Sequence, residues 1–124
     1  MQISKTFIEV IKHEGVAAIV TVAQNEAHIA NTWNTYIRIV DNKSIIIPVG
    51  GMGITQENLE INPKVKMTVG TREVQGLRYM GTGFLVEGRG QVDESGANYD
   101  FIKKEFPWAR AALVISPENI TQTL

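Results

Sequence analysis

The chain has 124 residues, with 12 Lys and Arg against 13 Asp and Glu, for a formal net charge of −1, so counterion release has little to act on and nucleic acid is not an expected partner. At 44% hydrophobic and 20% charged residues the composition is that of a folding chain, and its length suits one domain over residues 1–124. The absence of Cys excludes disulfides, thiolate nucleophiles and Cys-based metal sites; with no apolar run near the ~18 residues of a membrane span and no signal-peptide plan at the amino terminus, a cytoplasmic protein without membrane contact is expected.

Thr6 and Glu9 read as a capping box, and Phe7, Val10 and Ile11 form one apolar stripe, so a short helix opens the chain, with Gly15 as its left-handed stop. Val16 to Val22 is β-branched and Ala-rich, a strand signal; Gln24 to Glu26 turn the chain, and His28 to Val40 reads as one or two further strands. After the turn dipeptide Asp41-Asn42, Ser44 to Val49 is too uniformly apolar for a strand with one wet face and is placed centrally, with Pro48 at an edge or bulge. Gly50-Gly51-Met52-Gly53 then breaks the strand, and Thr55 to Ile61 reads as a short helix ended by Pro63.

Val65 to Val69 alternates as a strand, Gly70 to Gly83 reads as a polar, Gly-spotted loop, and Phe84 to Val92 returns to strand spacing. A second helix fits Asn98 to Phe106, stopped by Pro107, and two strands, Ala111 to Ile115 and Ile120 to Leu124, flank Ser116-Pro117. Short strands with few helices and no βαβ rhythm argue for a mainly β chain folded as a closed or split antiparallel barrel.

Four segments carry residues suited to binding. Successive glycines at Gly50 let backbone N–H groups crowd an anion, and the helix behind adds its positive end, but the segment lacks a phosphate-loop Lys and on its own reads first as a turn. Asn31-Thr32-Trp33-Asn34-Thr35-Tyr36 sets polar side chains on both faces of a strand, which suits either a bound polar ligand or an exposed edge strand with a packed Trp. Trp108, fixed by Pro107, reads as core, or as a surface on which a planar ligand stacks. Arg72 with Gly81-Thr82-Gly83 offers a second anion-friendly loop, while Arg78 and His13 read as surface and His28 as a strand residue. No grouping of His, Ser or Asp has catalytic or metal-ligand spacing, so neither kind of site is assigned.

These segments, taken in order, resemble the small FMN-binding proteins of anaerobic bacteria, in the flavin-binding split-barrel class that includes pyridoxamine 5′-phosphate oxidase. The resemblance runs from Phe7-Ile8-Glu9-Val10 and Glu14-Gly15-Val16 through Asn31-Thr32-Trp33-Asn34 and Tyr36 to Pro48-Val49-Gly50-Gly51-Met52. It continues at Gly81-Thr82-Gly83-Phe84-Leu85 and Trp108-Ala109-Arg110-Ala111-Ala112, and ends at Gln122-Thr123-Leu124. It implies a homodimer with one FMN per subunit near the interface, acting in electron transfer with an unidentified redox partner.

By that resemblance Asn31, Thr32 and Trp33 run along the flavin, Tyr36 and Trp108 are its aromatic neighbours, and Val49, Gly50, Gly51 and Met52 line it. Thr55 lies toward the phosphate, Leu124 reaches the partner's flavin, and Glu14 sets a negative charge nearby. The family has Lys before that Thr where this chain has Ile54, so heavier use of Thr55, Thr71, Arg72 and backbone N–H groups is expected, with Gly81 and Thr82 beside them. The differing segment Val74 to Met80 is assigned no flavin contact. Two other functions stay open: a flavin-dependent enzyme of the same barrel class, such as an NAD(P)H:flavin reductase or oxidase, and a non-redox binder of FMN or heme.

Overall fold

The computed structural model describes residues 3–124. The elements are α1 (Lys5–Val10), β1 (Val16–Ala23), β2 (Glu26–Trp33), a 3-10 turn (Asn34–Tyr36), β3 (Arg38–Val40), β4 (Ser44–Val49), α2 (Gly53–Ile61), β5 (Lys64–Gln75), β6 (Met80–Asp93), α3 (Ala97–Glu105) and β7 (Ala111–Gln122). Every strand pairing is antiparallel, and one seven-stranded sheet runs β2-β1-β5-β6-β7-β4-β3. Ile19 on β1 and Ile47 on β4 lie toward opposite flanks of that sheet yet share one buried cluster with Met67, Val86 and Leu113. The sheet therefore curls around its core, as a split barrel does.

Alternation decides which residues enter. Ala17, Ile19 and Thr21 of β1 are buried, as are Val65, Met67 and Val69 of β5, the period of two that a strand imposes. Helix α1 covers one end: Phe7 is fully buried and meets Phe84 edge-on, ring centroids 5.4 Å apart. The expected capping box is replaced by Ser4, whose side chain accepts from Phe7 N–H at 3.2 Å, because the helix begins one residue ahead of Thr6. β4 is buried on both faces as its apolar run implies, although it stands beside the edge strand β3 and not in the middle of the sheet: Ile45, Ile47 and Val49 face the main core, while Ile46 packs with Ile102, Ala112 and Val114 in a smaller cluster under α3. Pro48 pairs with Ala112, and β3 ends opposite Ile46, so the imino nitrogen lies where no strand needs a donor on that side.

Two expectations about strands are corrected. Gly70 to Gly83 is not a loop: β5 continues to Gln75, β6 starts at Met80, and Gly70 pairs with Gly83 and Thr71 with Thr82. Weak local strand propensity is overridden there by pairing, and the glycines suit the close approach of two backbones. Likewise Ser116-Pro117 does not split the last strand. Gly88 pairs with Pro117 and Glu87 with Asn119, so Glu118 is the extra residue of a bulge that absorbs the proline.

Gly15 is not a left-handed stop, since positive φ among the described glycines occurs at Gly81 and Gly96. Its constraint is space. A Cβ at Gly15 would collide with the Gly70 carbonyl oxygen and come within 2.7 Å of the Asn34 amide nitrogen. That amide, fully buried, donates to Gly70 O at 2.8 Å, while Asn34 N–H donates to Gly15 O at 2.9 Å. Gly15→Ala is expected to destabilise the protein by about 1–3 kcal/mol, the range for overpacking, read as a lower urea midpoint at unchanged m-value.

Candidate functional site

The expected site residues fall into two depressions. The first, about 400 Å³, is walled by Asn31, Thr32 and Trp33 of β2, Tyr36 of the 3-10 turn, Gly50, Gly51 and Met52 before α2, and Trp108 before β7. His28, Ala30, Gly53 and Ile54 complete much of its lining. The second, about 940 Å³, brings together Thr71 and Arg72 of β5, Gly81 and Thr82 of β6, and Leu124, with Glu14, Leu77, Tyr79 and Met80. Val49 and Thr55 line neither: the Val49 side chain is core and its carbonyl accepts from Arg110 N–H at 2.8 Å, while Thr55 is buried in the first turn of α2. Within one chain, Thr71 and Arg72 are thus not in the cleft of Ile54.

Trp33 and Tyr36 owe their positions to the end of β2. This strand is the sheet edge, and the chain leaves it through the 3-10 turn anchored by Asn34. Trp33 stays 49% exposed and Trp108 51% exposed, so neither indole is core. Tyr36, Phe106 and Trp108 form a triangle with centroid distances of 5.2, 5.6 and 5.7 Å, and Arg38 lies over Phe106 at 4.8 Å while bonding Glu105 at 2.8 Å. Such contacts hold an aromatic wall at fixed tilt while leaving the Trp108 face available for stacking.

The opposite wall is the loop before α2. Met52 occupies the left-handed region at φ 61°, and α2 starts without a side-chain cap, so its first-turn amides are available to an anion. Gly51 and Gly53 have open space where a side chain would project, whereas a Cβ on Gly50 would sit 3.3 Å from the Trp108 ring. In the first turn, Thr55 is 1% exposed and its hydroxyl has no hydrogen-bond partner, a costly state unless a ligand oxygen engages it. Orphan hydroxyl, bare amides and aromatic wall together fit a planar phosphorylated ligand, and the volume lies within the usual range for ligand clefts.

Arg110 holds this loop, a role that the spacing did not reveal. Its Nη2 donates to Gly51 O at 2.6 Å, its Nε to Gly50 O at 3.1 Å, and its Nη1 to Gln56 Oε1 at 2.8 Å. His28 was also missed as a cleft residue; the signal was its position two and four residues before Ala30 and Thr32, on the same strand face. In the second depression, Thr82 Oγ1 donates to Leu124 O at 2.7 Å and Gln122 Nε2 to the same oxygen at 3.1 Å, leaving the Leu124 side chain 65% exposed. At its rim, Glu14 Oε1 accepts from Thr35 Oγ1 at 2.7 Å. The segment Val74 to Met80 contributes Leu77, Arg78, Tyr79 and Met80 to this depression, a ligand-accessible wall that the sequence left without a role.

Fold and cleft define an antiparallel barrel of the flavin-binding split type. Residues 3–124 match the family model described as pyridoxamine 5′-phosphate oxidase. The chain is 44% identical over 119 residues to the FMN-binding protein of Nitratidesulfovibrio vulgaris, covering 96% of this chain and 97% of that one. Among solved structures, HupZ of Group A Streptococcus superposes with a TM-score of 0.81 at 24% identity over 98% of this chain and 94% of that one. An FMN-binding protein of Syntrophomonas wolfei superposes with a TM-score of 0.69 at 22% identity over 87% and 76%; at these identities the likeness is one of fold. The chain belongs to the pyridoxamine 5′-phosphate oxidase family.

Arg110→Met removes four hydrogen bonds to the loop and α2 and is expected to speed amide exchange of residues 51–55 about threefold to tenfold, the scale of partly exposed charge-assisted bonds. Mass-spectrometric hydrogen exchange reads this directly.

Proposed function

We propose that this protein binds FMN, one per chain, and works as an electron-transfer flavoprotein. The observation that carries the reading is the cleft itself: two half-exposed indoles face a Gly-rich loop that leads into an uncapped helix start with an unpaired buried hydroxyl. The name of the 44% identical relative points the same way. FMN, when bound, supplies the redox chemistry; the chain supplies grip, orientation and charge. Asn31 and Thr32 offer polar groups along the ring edge, Trp33, Tyr36 and Trp108 offer faces, and the first turn of α2 offers donors to the phosphate. Among the described residues that line the cleft, His28 has no carboxylate beside it to complete an acid–base pair, which favours electron transfer over substrate turnover.

The active unit in this proposal is a homodimer. Trp33, Ile54 and Trp108 around the first cleft, and Leu77, Tyr79, Met80 and Leu124 around the second, are large apolar side chains left in water by a single chain, the mark of a covered face. Apposing the first cleft of one chain with the second of its partner puts Leu124 and Glu14 across from the flavin and joins the two sets of residues that one chain holds apart. A second reading, a flavin reductase drawing on an anionic donor such as NAD(P)H, draws support from Arg72 and Arg78, which line the larger depression and form no ion pair among the described residues.

The purified protein is expected to carry flavin absorption near one equivalent per chain, with emission far weaker than free FMN because Trp33 and Tyr36 quench it at contact. A brightly emitting bound flavin, or a preparation that takes up heme and refuses FMN, overturns the reading; steady NADH or NADPH turnover by the loaded protein transfers it to the reductase. Glu14→Gln removes a negative charge that disfavours the reduced, more anionic ring, so the midpoint potential is expected to rise by roughly 20–50 mV. An unmoved potential in spectroelectrochemical titration removes Glu14 from this role.

A further inference from the structure

We infer that His28 is the counter-charge for the phosphate of the ligand in the first cleft, and that its protonation makes affinity for the phosphorylated flavin depend on pH. This rests on the FMN reading above and adds to it the residue that neutralises the anion.

The wall that receives the phosphate is short of positive charge. From Gly50 to Ile54 it offers backbone donors only, and Ile54, 53% exposed, presents a hydrocarbon to the cleft. Arg110 is committed to the Gly50 and Gly51 carbonyls, to Gln56 and, at 3.8 Å, to Glu94. A phosphomonoester carries about −1.5 to −2 charges near neutral pH, more than a helix start balances on its own. Among the described residues that line the cleft, His28 is the only basic side chain.

Its position suits the task. His28, Ala30 and Thr32 occupy alternate places on β2, hence one strand face, and line the cleft together with Asn31 and Trp33 of the other face at this sheet edge. His28 pairs across the ladder with Thr21, whose hydroxyl accepts from Asn58 Nδ2 of α2 at 3.1 Å. Asn58 lies one turn beyond Ile54, so the face of β2 that carries His28 is the one the start of α2 overlies. Half-buried, the imidazole makes no hydrogen bond or ion pair among the described residues, which leaves a ring N–H free for a phosphate oxygen. The titratable side chains on the elements packed about it are Glu26 of β2 and Glu57 and Glu60 of α2, all exposed and none lining the cleft, while β1 contributes none.

The sign follows from linkage. A phosphate attracts an imidazolium more strongly than a neutral imidazole, so affinity rises as pH falls. The gain in affinity is full where free imidazole is already protonated and is lost as pH rises through the range in which histidine discharges.

The test uses the apoprotein with two probes, FMN and riboflavin, which share the ring system and differ in the phosphate. Kd values are taken from fluorescence quenching at pH 8.5, 7.5 and 6.5. The ratio of FMN to riboflavin affinity is expected to rise about threefold to tenfold from pH 8.5 to 6.5 in the wild type. It should stay flat and low in His28→Gln, and flat and high in His28→Lys, with riboflavin affinity unchanged in both. A wild-type ratio that ignores pH overturns the inference, as does a rise that survives in His28→Gln or a riboflavin affinity that falls as far as that of FMN. If neither flavin binds at any pH, the FMN reading itself fails.

Discussion

The side chain of Asn34 is the constraint on which both depressions depend. It sits fully buried at the point where the chain leaves the sheet edge, its amide on the Gly70 carbonyl and its backbone N–H on that of Gly15. Gly15 and Gly70 line the larger depression, while Trp33 and Tyr36, on either side of Asn34, line the smaller. One amide therefore sets the two cavities relative to each other. Its Oδ1 has no partner, a cost that folding tolerates because the alternative is a buried turn with no donor for Gly70.

Around that junction the chain divides its labour between rigid and open parts. One apolar cluster runs through β1, β4, β5, β6 and β7, whereas the rims hold exposed indoles, an isoleucine at the helix start and an exposed Leu124. A lone domain gains nothing by leaving these in water. In the proposed dimer a planar cofactor and a second chain cover them, and that covering would lower the local dielectric and sharpen the influence of Glu14 and His28 on whatever is bound.

Much of this was legible in the residues. The apolar run Ser44 to Val49, flanked by a turn and glycines, announced a strand buried on both faces, and the helix after Gly53 followed from the polar-to-apolar order up to Pro63. What escaped were features decided by pairing. Gly70, Gly83 and Pro117 break strands in isolation, yet the ladder carries through them because neighbouring strands supply the hydrogen bonds. Asn31 to Tyr36 invited two readings, a ligand-binding strand and an exposed edge strand, and the structure has the edge strand and the cleft at once. The guanidinium of Arg110 gave no local signal, because its partners stand some sixty residues away, and His28 was hidden by reading its strand one residue at a time instead of by face.

In the proposed dimer, FMN lies between the first depression of one chain and the second depression of another. A crystal structure of the protein grown with FMN tests it most directly. The account requires the ring against Trp33 and Trp108 of one subunit with Leu124 of the other closing over it, and the phosphate at the start of α2. A flavin seated wholly within one chain, or a cleft filled by the protein's own side chains while excess FMN stays in solution, contradicts it.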